Sequence, residues 1–153
     1  MAAVAMHLRR PWARPDAFSS LLSAFRRWAP RDRIVGWTIG DSLASAAEIK
    51  DLDVLLELVE DRKYSSARQM LVESRWRFCR DPRVGQALER LIEDPDVSLH
   101  AMSALRRAIG IDAALPSLRR VRDGHPDEKV RRQASRAVWR AEKTLPEQQQ
   151  SQS

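Results

Sequence analysis

Between Asp94 and Lys143 the chain repeats itself at a spacing that few folds accommodate. Asp94-Pro95-Asp96-Val97 is echoed by His125-Pro126-Asp127 with Val130 three residues on, Ala101 returns at Ala134, and Leu105 returns as Val138. Going backwards, Ala67 and Leu71 stand 34 residues before Ala101 and Leu105, and Glu60-Asp61 stand 33 before Glu93-Asp94. A recurrence of this length marks a unit that buries its apolar face only by stacking on its neighbours. Within each unit the apolar residues follow helical spacing twice, so the unit is a pair of helices.

The same spacing predicts the helices in turn. Asp16 to Trp28 sets Phe18, Leu21, Leu22, Phe25 and Trp28 on one face, and Arg33 to Ala47 does so with Val35, Ile39, Ser42, Leu43 and Ala46. Asp51 or Asp53 is the expected cap of a helix through Glu60, striped by Leu52, Leu55, Leu56 and Val59. Tyr64 to Phe78 reads as one helix, Asp81-Pro82 as a break, and Arg83 to Glu93 as the next helix, on Val84, Ala87, Leu88, Leu91 and Ile92. Gly110 ends the helix that follows Asp94, since glycine tolerates a left-handed cap. Ala113 to Arg122 and Asp127 to Lys143 complete the array, and Leu55, Leu71, Leu88, Leu105, Leu118 and Val138 are its expected stacking core. The expected organisation is a basic, flexible leader over 1–15, a helical array of about three to four hairpins over 16–143, and a disordered tail over 144–153 that has nothing to bury.

Pro126-Asp127, Val130-Arg131, Ala134 and Ala137-Val138 form a pattern that resembles the second helix of HEAT repeats, of the kind found in bacterial HEAT-repeat domain proteins. The copy at Asp94-Pro95-Asp96-Val97, Ala101 and Ala104-Leu105 keeps all of it except the arginine, which is Ser98. The copy at Asp61-Arg62-Lys63-Tyr64 lacks the proline and retains Ala67-Arg68 and Leu71. The resemblance implies an all-α, right-handed α-solenoid of stacked helical hairpins, with second helices lining the concave side. It implies a scaffold, on which function depends on the surface presented.

The formal charge is +6, carried almost wholly by arginine, with lysine only at Lys50, Lys63, Lys129 and Lys143. Its distribution is uneven. The second helices are net positive through Arg68, Arg75, Arg77, Arg80, Arg106, Arg107, Arg131, Arg132, Arg136 and Arg140, while the helix after Asp51 carries Asp53, Glu57, Glu60 and Asp61. With the resemblance, this implies a basic inner surface. Counted at about 100° per residue, Trp37, Trp76 and Trp139 fall opposite the apolar seams of their helices, Trp139 beside Arg132 and Arg136, with Leu99 and Arg106 in the corresponding place between them. Aromatic and guanidinium groups interleaved in this way can stack on a ligand and engage it by cation–π contacts. The expected partner contacts are therefore Trp37, Arg68, Trp76, Arg106, Arg132, Arg136 and Trp139.

Motifs for chemistry are sparse. None of His7, His100 and His125 is followed by Glu, so the His-Glu pairs with which HEAT-like deoxyhypusine hydroxylases hold two irons are missing. His100 and His125 are expected to be structural, Cys79 to be a half-buried apolar residue, and the five glycines are too scattered for a phosphate loop. HEAT-like DNA glycosylases share the aromatic-and-arginine style, with Asp41 the one acid here assignable to such a face, and phycobilin lyases share the architecture alone. No run approaches the ~20 apolar residues of a membrane span. A single cysteine and no secretory pattern suit the cytoplasm, although the Arg-, Ala- and Ser-rich start also fits an organellar presequence. The expectation is a non-enzymatic scaffold without cofactor, binding a partner protein or acidic peptide on its basic face. Nucleic-acid binding by the same arginines is the second reading. The abrupt start also fits the C-terminal piece of a longer repeat protein, and Phe18, Leu22 and Phe25 offer an end for self-association.

Overall fold

Aspartates start several of the helices and a bound arginine interrupts one of them. A computed structural model describes residues 14–144, and side chains throughout that span except at 14–16, 75, 76 and 144. The expected leader and tail lie outside the described residues apart from the helix-terminal residues 14, 15 and 144. The fold is all-α: among the described residues there are eight α-helices and no strand. In chain order α1 is Arg14–Trp28, α2 Arg33–Ala46, α3 Leu52–Glu60, α4 Gln69–Glu73, α5 Pro82–Leu91, α6 Ser98–Ile109, α7 Ile111–Gly124 and α8 Glu128–Thr144.

Asp32 accepts hydrogen bonds from the amides of Ile34 and Val35 at 2.9 and 3.0 Å, satisfying donors that the first turn of α2 leaves open. Asp81 does the same for Arg83, ahead of Pro82, which has no amide hydrogen to satisfy. Asp127 accepts from Lys129 at the start of α8. Asp51 stands at the N-cap position of α3, as expected, but its side chain makes no capping hydrogen bond to that helix. Asp51 accepts from the Glu48 amide and closes the short 3₁₀ turn Ile49–Asp51, and Asp53 pairs with Arg83.

Helix α1 packs on α2, α5 on α6, and α7 on α8. The α1–α2 contact is close because a side-chain carbon at Gly36 would sit 2.6 Å from the Ala29 Cα, and one at Gly40 would sit 3.2 Å from the Phe25 ring. Glycine at both positions is what lets the backbones approach. Leu55, Leu71, Leu88, Leu105, Leu118 and Val138 are all buried, as their spacing predicts, and belong to one continuous core. On α3 the fourth fully buried residue is Leu58, with Leu56 only half-buried.

Helices α1, α3, α5 and α7 are joined by ion pairs. Arg26 meets Glu57 at 3.6 Å, Arg83 meets Asp53 at 2.7 Å, Arg90 meets Glu60, and Arg120 meets Glu93 at 2.9 Å. Carboxylates of α3 and that of Glu93, just past α5, thus lie against arginines of the same chain. Exposed pairs of this kind contribute little stability each, but they cancel the acidic charge of that side.

The stretch Tyr64 to Phe78 is not the single helix that its spacing predicts. It is a 3₁₀ segment Arg62–Arg68, the short α4, and a second 3₁₀ segment Ser74–Phe78. Ser65 takes φ 42° and ψ −136°, outside helical space. The cause is Arg68, whose side chain is 0 % exposed. Its Nε donates to the Ser65 carbonyl at 2.9 Å, one terminal nitrogen to the Val59 carbonyl at 2.8 Å, and the other to the Asp94 carboxylate at 3.0 Å. A guanidinium removed from water must fill its donors with protein acceptors, and the carbonyl of Val59, left open in the last turn of α3, and that of the non-helical Ser65 supply two of them.

Asp94 is itself buried and, beyond Arg68, accepts from the Asp96 amide, while its carbonyl takes the amides of Val97 and Ser98 at the start of α6. Replacing Asp94→Ala is expected to cost about 3–5 kcal/mol, because it takes the hydrogen-bonded carboxylate from a buried cation and leaves only the longer 3.8 Å contact with Asp96. Urea denaturation measures this directly; a cost below about 1 kcal/mol, typical of a surface pair, would contradict the role given to the contact.

Candidate functional site

Arginines gather where α6 faces α8. Arg106 projects from the last turn of α6 with its Nε held on the Met102 carbonyl at 3.3 Å. Arg136 and Arg140 stand one turn apart on α8, so both reach the same side of that helix. Together with Leu99, Met102, Gln133 and Ala137 they line a cleft of about 220 Å³. An adjoining cleft of about 310 Å³ shares Arg106, Ala137 and Arg140 and adds Ser103, Arg107, Ile111 and Ala141. No carboxylate lines either cleft. Arg136 has no hydrogen-bond or ion-pair partner among the described residues, and Arg107 is held 3.1 Å from Glu73.

Local sequence accounts for this placement. Buried Ala134, Ala137, Val138 and Ala141 seat α8 on the core, and small residues there leave room above Ala137 that longer side chains would fill. Ala101, Met102, Ala104 and Leu105 seat α6 in the same way. The arginines flank those seams, where their stems lie along apolar surface and their heads reach solvent.

The expected contact residues separate into distinct places. Arg106 and Arg136 come together in the α6–α8 cleft. Arg132 is exposed on α8 but pairs with Glu128 at 2.6 Å and lines neither cleft. Trp139 is 59 % exposed, with the Lys143 ammonium 4.7 Å from its ring centre, and also stands outside the cleft linings. Trp37 is 38 % exposed and lines a separate cleft with Arg33, Ile34, Ser66 and Gln69. Arg68 is a correction: it is an interior clamp, closed to any ligand. The Trp76 side chain lies outside the described residues. Arg140 was absent from the expected set, although its i,i+4 spacing from Arg136 puts the two on one face.

Between the Arg-lined clefts and Trp37 the surface changes sign. A cleft at α2 and α4 is lined by Asp41 and Glu73 as well as Arg77, whose guanidinium donates to the Ala44 carbonyl at 2.8 Å. Glu73 accepts from the Ser103 hydroxyl at 2.9 Å and thereby marks the edge of the positive patch.

Other candidates occupy structural positions. His125 is buried in the turn before α8, where its Nδ1 accepts from the Asp127 amide at 3.1 Å. Cys79, just past the 3₁₀ segment Ser74–Phe78, is exposed, against the expectation of half-burial. No group of three or more His, Cys, Asp or Glu among the described residues is placed to hold a metal ion, and no described helix is long and apolar enough to cross a membrane. No protein-family model, curated protein or solved structure matches this chain.

His100 is half-buried on α6. Burial holds its imidazole below the usual range, with the nearby Glu73 carboxylate acting in the opposite direction. A group with a depressed folded pKa is protonated first in the unfolded chain, so its contribution to stability is complete above about 6.5 and declines as pH falls toward the lower folded value. His100→Gln is therefore expected to flatten the loss of stability below pH 6.5 relative to the unsubstituted protein. Denaturation midpoints between pH 7.5 and 5 test this, and parallel curves for the two proteins would refute it.

Proposed function

We propose that the chain is a HEAT-like, right-handed solenoid of four helical hairpins that works as a non-enzymatic interaction module, capturing an acidic segment of a partner protein on the face formed by its second helices. In this reading α1, α3, α5 and α7 are the first helices, and α2, the α4 segment, α6 and α8 the second. Supporting it, contacts between successive units join residues about one repeat apart. Asp53 to Arg83, Glu60 to Arg90 and Glu73 to Ser103 are each 30 residues apart, and Ala44 to Arg77 is 33.

The observation that carries the function is the α6–α8 cleft, where Arg106, Arg136 and Arg140 line an apolar-floored depression with no carboxylate among them. Guanidinium groups bind carboxylates through paired N–H donors in a fixed fork, which lysine cannot reproduce. The first helices offer no comparable surface, since their arginines and acids neutralise one another. A partner segment carrying acidic side chains would be steered to one end of the array and held there by charge-assisted hydrogen bonds.

Arg106→Glu combined with Arg136→Glu is expected to abolish partner capture while leaving the unfolding midpoint within about 0.5 kcal/mol of the original in free energy, both residues lying outside the core. The measurement is affinity purification of tagged protein from its native cells after nuclease digestion, comparing the two forms. A protein retained by the unsubstituted chain and lost from the variant supports the reading. Retention by both, or loss of all binding on nuclease treatment, would overturn it.

A further inference from the structure

We propose that the α6–α8 cleft is a phosphate-reading site, its ligand a phosphorylated serine or threonine side chain on the partner segment. The inference rests on the acidic-segment reading above and narrows it.

Three guanidinium groups line one cleft of about 220 Å³ without an opposing carboxylate. A single carboxylate would bring one negative charge and two acceptor oxygens to that group of cations. A phosphomonoester brings a charge of about −1.5 to −2 and three strong acceptor oxygens, the closer match in both charge and valence. Arg106 approaches from α6 and Arg136 and Arg140 from α8, so donors come from both walls. The hydrogen bond from the Arg106 Nε to the Met102 carbonyl at 3.3 Å ties that guanidinium to its own helix and occupies only one of its five donors. Such pre-set donors lose less freedom on binding. Beneath them Leu99, Met102 and Ala137 form an apolar floor suited to the methylene or methyl group that carries the phosphate.

The surface around the cleft favours a single compact anion over a long polyanion. Nucleic acid needs a row of cations to follow its phosphates. Here Glu73, engaged with Ser103 and Arg107, and then Asp41 interrupt the positive charge immediately beyond the second cleft. A single-stranded backbone laid along the face would meet carboxylates within one helix of the arginines. A peptide has no such repeating charge and can cross that boundary.

The experiment uses three fluorescent probes at near-physiological salt, read by anisotropy: a degenerate peptide pool with a fixed central phosphoserine, the same pool with glutamate at that position, and a mixed-sequence single-stranded oligonucleotide. The phosphoserine pool is expected to bind roughly tenfold more tightly than the glutamate pool. Arg136→Gln should lose that preference, whereas Arg132→Gln, outside the cleft, should keep it. Equal binding of the two peptide pools would overturn phosphate reading and leave the acidic-segment proposal standing. Binding of neither pool would overturn both, as would an oligonucleotide that binds more tightly than either peptide. Phosphoserine preference that survives Arg136→Gln would overturn the assignment of the site.

Discussion

The Arg68 guanidinium, shut away from water, fixes the middle of the molecule. It collects the end of α3 through the Val59 carbonyl, the following 3₁₀ segment through Ser65, and the turn before α6 through Asp94. Asp94 in turn receives the first amides of α6. One side chain thereby sets where three segments meet, and α6 is a wall of the Arg-lined cleft. A buried ion pair of this sort adds little net stability over a well-packed apolar substitute, but once present its partners cannot be removed singly without leaving a stranded charge. Its contribution is geometric: it breaks the helix that would otherwise run from Tyr64 to Phe78 and holds the non-helical Ser65 in place.

Internal pairing also decides where charge remains available. Of the arginines on α5 and α7, Arg83, Arg90 and Arg120 lie against acids of the neighbouring segment, and Arg119 lies against Glu142 of α8. Arg131 donates to the carbonyls of His125 and Pro126, tying the start of α8 to its preceding turn. A chain of net charge +6 could have spread it evenly. Instead the α6–α8 clefts gather arginine without carboxylate, and Glu73 and Asp41 bound that region on one side.

Much of this was legible in the residues. Helical spacing located seven of the eight α-helices within a few residues, and the stacking residues from Leu55 to Val138 were read correctly because apolar periodicity reports burial directly. Gly110, with φ 85°, does end α6, though its side-chain-free position faces open space. The departure between Tyr64 and Phe78 is different in kind. Assigning faces by angle presumes an unbroken helix, and Arg68 breaks it for reasons that lie 26 residues away at Asp94. Nothing local distinguishes a buried arginine from its exposed neighbours, since the distinction is a tertiary contact. On α8, which is continuous, the angular reading fared better: Arg132, Arg136 and Trp139 are all exposed, and only the partition between cleft and rim required the opposing helix.

The most direct test of this charge distribution needs no partner. A paramagnetic, multiply charged anion titrated into isotopically labelled protein broadens the amide resonances it approaches. Broadening confined to residues 99–111 and 132–141, with the amides around Arg83, Arg90 and Arg120 unaffected, is the expected result. Equal broadening along α5 and α7 would show that their arginines are as available to anions as those of the cleft, and would contradict the partition on which the proposed site depends.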